Sequence, residues 1–196
     1  MNEQKFILLL REGQQKAFGK LLNDYEQKVF STCISFVPNK EDAEDLTQEV
    51  FVEIYNSIHK FRGKSKLSTW IYRISVNKSL EFIRKNNTKK RFAILQNLFN
   101  NDITVDKTLS FTEFNHPGIL IENKERSEIL FSAINRLPKD QKIVFTLNKI
   151  DGLSYKEVCE ITNKSLSSVE SLLFRSKKNL QKLLYDFYKN DNNSKF

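Results

Sequence analysis

Cysteine is scarce in this chain: 196 residues hold only Cys33 and Cys159, far apart and with no second thiol near either. That excludes a disulfide framework and a thiolate zinc pattern. Both residues read as reduced core thiols of a cytosolic protein. Histidine is equally thin, with His59 and His116 standing apart, and no Gly-rich phosphate loop or metal-ligand cluster is present. The acids of "EDAEDLTQE" fit no common hydrolytic motif. These scarcities argue against an enzyme, and no catalytic residue, metal or cofactor is expected. Long apolar runs are also missing. The N-terminal run, Phe6 to Leu10, has five residues and no basic leader before it, well short of the roughly 20 that a membrane span needs. A cytoplasmic protein without membrane insertion is the expectation.

What is abundant is charge, unevenly placed. The net charge is +8 and the pI about 9.4, a balance that favours an anionic partner. Between Lys60 and Arg91 there are eleven Lys or Arg and one acid, Glu81, whereas Glu41 to Glu53 holds six acids and no base. Blocks of opposite sign this close imply two surfaces with two different partners.

Helical periodicity dominates and no alternating strand pattern appears. Phe18, Leu21, Leu22, Tyr25, Val29, Cys33 and Ile34 form one apolar stripe, which Pro38 ends. Asn39 is placed to cap the next helix, whose first turn is acidic and whose inward residues are Ala43, Leu46, Val50, Ile54 and Ile58. After the loop "FRGKSKLS", a third helix is expected from about Thr69 to Arg84 with Ser68 as its cap. Periodicity is lost between Asn86 and Asn123, which reads as a linker. Ile129, Leu130, Ala133, Ile134 and Leu137 make the next stripe. Pro138 opens a helix with Ile143, Val144 and Leu147 inward, and Gly152 stops it. Ser154 with Glu157, and Ser167 with Glu170, have the spacing of capping boxes. Helix, tight turn and longer helix make a helix-turn-helix pattern. At about 100° per residue, Val169, Leu172, Leu173, Ser176 and Leu180 turn inward, and Ser171, Phe174, Arg175 and Lys178 outward, where a DNA reader would meet the major groove. The fold class is therefore all-α, with two small helical domains joined by a flexible linker.

Two segments carry a family resemblance. "LPKDQKIVFTLNKIDGLSYKEVCEITNKSLSSVESLLFRSKKNLQKLL" resembles region 4 of sigma factors, through Leu137-Pro138, Gly152-Leu153-Ser154-Tyr155, Glu157-Val158, Ser168-Val169, Ser171, Arg175 and Leu180. LuxR-type activators share part of that pattern. "EDAEDLTQEVFVEIYNSIHKFRGKSKLSTWIYRISVNKSLEFIRK" is similar to region 2 of the same family, through Asp42 to Phe51, then Phe61, Thr69-Trp70, Arg73-Ile74, Asn77 and Arg84. Both motifs, in this order and with no third domain between them, resemble an extracytoplasmic-function sigma factor of the RpoE-like type.

The resemblance implies region 2 at 1–86, a linker at 87–123, region 4 at 124–190 and a polar tail at 191–196. It implies docking of Asp45, Leu46, Gln48, Glu49 and Phe51 on the clamp helices of the largest subunit of core RNA polymerase, with a further contact to the flap. It implies that the basic stretch binds and melts the minus-ten element of promoter DNA. There Arg62, Lys64, Lys66, Arg73 and Lys78 would supply charge, and Ser68, Thr69 and Asn77 hydrogen bonds. Trp70 has two readings, a core anchor and a base-stacking platform. The minus-thirty-five element would meet Ser154, Tyr155, Lys156, Ser167, Ser168, Glu170, Ser171, Arg175 and Lys178. Glu170 and Leu172 stand where the family often carries basic residues. Leu172 reads as packing, whereas Glu170 is either half of a capping box or an acceptor for a cytosine amino group. An anti-sigma factor is a further expected partner. A duplex-only regulator would account for the helix-turn-helix but not for the "DLTQEVF" and "TWIYRISVN" segments.

Overall fold

Side-chain caps start several of the helices, and they explain where the chain changes direction. In a computed structural model, residues 2–37, 39–99 and 124–193 are described. They form eight α-helices: α1 Glu3–Arg11, α2 Gln15–Ile34, α3 Lys40–Ser57, α4 Leu67–Phe99, α5 Lys124–Asn135, α6 Lys139–Phe145, α7 Tyr155–Thr162 and α8 Leu166–Asn193. Among the described residues there is no strand. Asn39 caps α3 as expected, its Oδ1 accepting from the Asp42 amide at 2.7 Å, with Glu41 and Asp42 in the first turn where the helix dipole favours acids. At α7, Ser154 and Glu157 make both bonds of a capping box.

Three expectations are corrected. Ser68 does not cap α4 but lies inside it; the Leu67 amide at the helix start donates to Oε1 of Glu3, brought in from α1 at 3.0 Å. Residues 87–99, read as linker, continue α4 to Phe99. The cap of α8 is Ser165 rather than Ser167, because the Ser168 amide donates to Ser165 Oγ at 3.3 Å. Pro38, the linker segment 100–123 with His116, and the last three residues of the tail lie outside the described residues.

The N-terminal unit buries Leu21, Val29, Ile34, Leu46, Val50, Ile54, Leu67 and Ile71 between α2, α3 and α4. In the C-terminal unit, Ile143, Val144, Leu147, Val169, Leu172 and Leu173, inward as expected from helical spacing, form the core together with Val158 and Ile161 of α7. A π-helical stretch, Thr146–Ile150, follows α6, its register set by the Asp151 amide donating to Thr146 O at 2.9 Å. Gly152 then takes a φ of +70°, a value that glycine adopts without strain. Asn163, at φ +55°, ends α7 and makes the tight turn into α8.

The two units are docked rather than separate. Phe36, Tyr72 and Val76 of the first half belong to the apolar cluster of the second. Phe131, Ile134, Leu137 and Leu180 of the second half join the cluster of the first. The two small helical domains expected are both present, and in this arrangement they are packed against each other. Burial of large apolar side chains, each worth about 1.5–3 kcal/mol when complete, holds the halves together.

Candidate polymerase and nucleic-acid interfaces

Asp45, Gln48 and Glu49 share the outer face of α3 and are exposed. The inward stripe of Ala43, Leu46, Val50 and Ile54 fixes which face that is. Leu46 is only 1% exposed, so its assignment as a contact is corrected: it packs the helix and positions Asp45 on one side of it. Phe51 is half-buried and packs against the same core. Asp45, Gln48, Glu49 and Val52 line one shallow groove with Glu53 and Lys78. Beside it lies an apolar groove that periodicity alone did not single out, with Leu22, Val52 and Tyr55 exposed, the last two at 59% and 58%. The Tyr55 ring rests on Phe18 with centroids 4.8 Å apart. The signal was present as apolar residues off the inward stripe of α3.

The basic surface lies across the loop before α4 and along its first four turns. Arg62, Lys64, Arg73 and Asn77 are exposed, and Ser68 is half-buried. Thr69 is 2% exposed, its hydroxyl buried without a partner among the described residues, so in this arrangement it meets no DNA. Trp70 is half-buried against Phe61, ring centroids 5.2 Å apart, which favours the core-anchor reading. Lys78 pairs with Glu53 of α3 at 3.2 Å.

Much of this surface is occupied by α7. Lys66 Nζ stands 3.0 Å from Glu157 Oε1, and Arg73 donates to the carbonyl of Glu160. Tyr72 and Val76 lie buried among Val158 and Ile161. Glu157 serves its capping box and the ion pair at once. Its carboxyl is held below the usual range, first by the Ser154 hydroxyl and then by Lys66. The ammonium of Lys66 is raised in turn by its hydrogen bond to Glu157. The Lys66 side chain remains mostly exposed, and a surface pair of this kind contributes little by itself. The apolar seat of Tyr72 and Val76 carries the contact.

A polar latch sits at the other edge of the joint. Asp151, just after the π-helical stretch, accepts from Ser31 Oγ and Thr32 Oγ1 of α2, each at 3.0 Å. Burial raises its carboxyl to about 7, against the opposing pull of the two hydroxyls. Burial and the nearby Asp151 also raise the Tyr72 phenol. Burial alone lowers Lys142 to about 8; its ammonium lies 5.1 Å from the Phe36 ring centroid and donates to Asn135.

The helix-turn-helix face is open. Val169, Leu172, Leu173, Ser176 and Leu180 are buried, leaving Ser167, Glu170, Ser171, Phe174, Arg175, Lys177 and Lys178 exposed, with Ser168 half-buried. Arg175 lies along the helix, its Nη2 donating to Ser171 Oγ at 3.0 Å. Ser154, Tyr155 and Lys156 are exposed at the start of α7.

An acidic-and-apolar helix face, a basic stretch, and a helix-turn-helix on a second unit define a bacterial transcription initiation factor of the sigma type. Residues 21–89 match the family profile of sigma-70 region 2, and residues 127–180 that of sigma-70 region 4. The chain is 31% identical over 185 residues to the ECF RNA polymerase sigma-E factor of Escherichia coli strain K12, covering 90% of this chain and 91% of that one. It is 29% identical over 187 residues to the sigma-E factor of Haemophilus influenzae, covering 92% and 94%. Two solved structures share the fold. CnrH in complex with the cytosolic domain of CnrY aligns with a TM-score of 0.67 at 21% identity, covering 94% of this chain and 97% of that one. RpoE in complex with the anti-sigma factor NepR from Bartonella quintana aligns at 0.68 and 22%, covering 87% and 98%. The chain belongs to the extracytoplasmic-function group of the sigma-70 family. It is an alternative sigma factor, which binds core RNA polymerase and directs promoter-specific initiation.

Proposed function

We propose that the three surfaces divide that task by residue. Asp45, Gln48 and Glu49, extended by Val52 and Tyr55, dock on the clamp helices of the polymerase; Phe51 supports them from below. Arg62, Lys64, Lys66, Arg73, Asn77 and Lys78 follow the separated strand at the minus-ten element, with Ser68 at the helix start. A separated strand needs cations along its backbone, and this is where exposed cations gather on α4 and the loop before it. Ser167, Ser168, Glu170, Ser171, Arg175 and Lys178 meet the minus-thirty-five element, with phosphate contacts from Ser154, Tyr155 and Lys156. Region 2 then occupies 1–86 and region 4 124–190, the start of the connection being helical to Phe99.

The observation that carries this reading is the seat of α7 on α4, with Lys66 on Glu157 and Arg73 on Glu160. The same side chains cannot hold α7 and a DNA strand together. The docked arrangement is therefore a resting state, and promoter melting requires the two units to part. Contact with polymerase, at surfaces left open in the resting state, would favour the parted form in proportion to its differential affinity. An anti-sigma factor would act in the opposite sense by binding the docked form. The protein works in the cytoplasm and carries no catalytic step of its own.

Footprinting with and without core polymerase tests this. The protein alone should protect promoter DNA weakly and the holoenzyme strongly, with permanganate-reactive thymines at the minus-ten element only in the holoenzyme. Equal protection by the free protein would remove the resting-state reading.

A further inference from the structure

Glu170 is an acid on a face that is otherwise basic or neutral, and the structure leaves it without a local duty. A Ser-x-x-Glu spacing with Ser167 would make it the reciprocal partner of a capping box. The cap of α8 is instead Ser165, which accepts from the Ser168 amide at 3.3 Å while its hydroxyl lies 3.2 Å from that of Ser167. Ser168, not Glu170, therefore occupies the third helical position. At α7 the corresponding Glu157 makes both capping bonds. Glu170 is also past the first turn of α8, which holds no acid, so the helix dipole gives it little. It is exposed and forms no ion pair among the described residues. No Lys or Arg stands three or four residues from it along α8, and Arg175 is turned to Ser171.

On a helix that enters the major groove, such an acid weakens attraction to the phosphates. A carboxylate only accepts hydrogen bonds, so its discrimination among bases follows from their edges. Guanine presents O6 and N7, thymine presents O4, and adenine sets its amino group beside the N7 acceptor; all three repel it wholly or in part. Cytosine offers its N4 amino donor with no acceptor beside it. Phe174, one turn further on and 71% exposed, provides an apolar neighbour that excludes water from the same part of the groove.

We infer that Glu170 is a specificity determinant of the upstream promoter element, requiring a cytosine at the position it faces. The inference rests on region 4 reading that element as proposed above.

The test is selection, with the full-length protein assembled on core polymerase, from promoters randomised across the upstream element. The wild type should enrich cytosine at one position by about tenfold over the other bases. E170Q should shift that position to adenine, whose N6 and N7 pair with an amide, and leave the other positions unchanged. E170A should lose the preference there while binding the other bases at least as well as the wild type. An exposed side chain that caps nothing should leave the thermal melt unchanged in both variants. If E170Q enriches the same bases as the wild type, or E170A alters affinity equally for every sequence, the inference is overturned. A wild-type holoenzyme that opens promoters but enriches no base in the upstream window would instead overturn the region 4 reading beneath it.

Discussion

Thr32 Oγ1 stands 3.0 Å from Oδ2 of Asp151 and 3.1 Å from the carbonyl oxygen of Lys28, and its single hydroxyl proton serves one of them at a time. A proton on Asp151 lets both contacts be made, because the carboxylic acid then donates to Thr32 while Thr32 donates to Lys28. Burial raises the carboxyl in the same direction, from 3.8 to about 7.

That relationship makes docking of the two units dependent on pH. The docked state holds the Asp151 proton more tightly than a parted state in which the carboxyl returns to its ordinary value. Its contribution is fully present below about pH 4 and is lost as pH rises through about 7. Between pH 6 and pH 8 the docked-to-parted ratio should fall about tenfold. Small-angle scattering should show the radius of gyration rising over that range in the wild type and staying constant in Asp151→Asn. A wild-type radius that ignores pH would remove the latch.

Lys142 gives a second, opposite dependence. Its ammonium is buried and lowered to about 8, so its contribution to stability is full above the ordinary value near 10.5 and diminishes as pH falls through 8. At pH 7 the charged form is carried at a cost. Lys142→Met keeps the chain's length against Phe36 and removes the charge, though Asn135 loses its donor. The net gain should be about 1–2 kcal/mol, or a rise in Tm of about 3–6 °C at pH 7. That gain should shrink as pH approaches 10. A lower Tm for the variant at pH 7 would show that the ring contact and Asn135 outweigh the burial of charge.

The acidic face of α3 is tested by Asp45→Arg, Gln48→Ala and Tyr55→Ala. Asp45 and Gln48 are exposed and lie off the packed stripe, so their melts should match the wild type within about 0.5 kcal/mol, whereas Tyr55→Ala also loses the Phe18 ring contact and should cost about 0.5–1.5 kcal/mol. Affinity for core polymerase should fall about tenfold or more for Asp45→Arg, where a repulsive charge replaces an attractive one. Tyr55→Ala should lose affinity through packing and be insensitive to salt. Binding of all three at wild-type strength would sink the assignment of this face.

Helical spacing made the local elements legible because it is a property of neighbouring residues. Val169, Leu172, Leu173, Ser176 and Leu180 fall on one face by rotation alone, and the caps Asn39 and Ser154 act within three residues. The extension of α4 to Phe99 is not legible because the polar run "NNTKKR" interrupts the apolar stripe, although the helix continues through it. The expected cap Ser68 gives way to Glu3, which takes the first amide of α4 from 64 residues earlier in the chain, beyond the reach of local spacing. The cap of α8 stands two positions before the expected Ser167, because "KSLSS" offers three serines and only the geometry chooses Ser165. Least legible was the joint: nothing in the periodicity of α2 tells that Thr32 meets Asp151, or that α7 covers Arg73. The sequence neighbours of Leu46 associate it with the polymerase contacts, although its own helical spacing places it inside.

The two basic surfaces should fail in different ways when their charges are removed. Lys66→Ala and Arg73→Ala take cations from the stretch proposed to follow the separated strand, so strand opening should suffer more than initial binding. Both side chains also touch α7, but the apolar seat of Tyr72 and Val76 carries that joint, so the free protein should stay docked in both variants. Arg175→Ala and Lys178→Ala act on the open face of α8, in the duplex groove, and should weaken closed-complex binding. Each lost phosphate contact should reduce the salt dependence by about one unit of slope, and a lost base contact should cost about 1–3 kcal/mol at a single position. Permanganate reactivity on the holoenzyme complex reads opening, and a salt titration of binding reads the closed complex. If Arg175→Ala kept full affinity and salt slope but lost strand opening, the assignment of the two surfaces would be reversed.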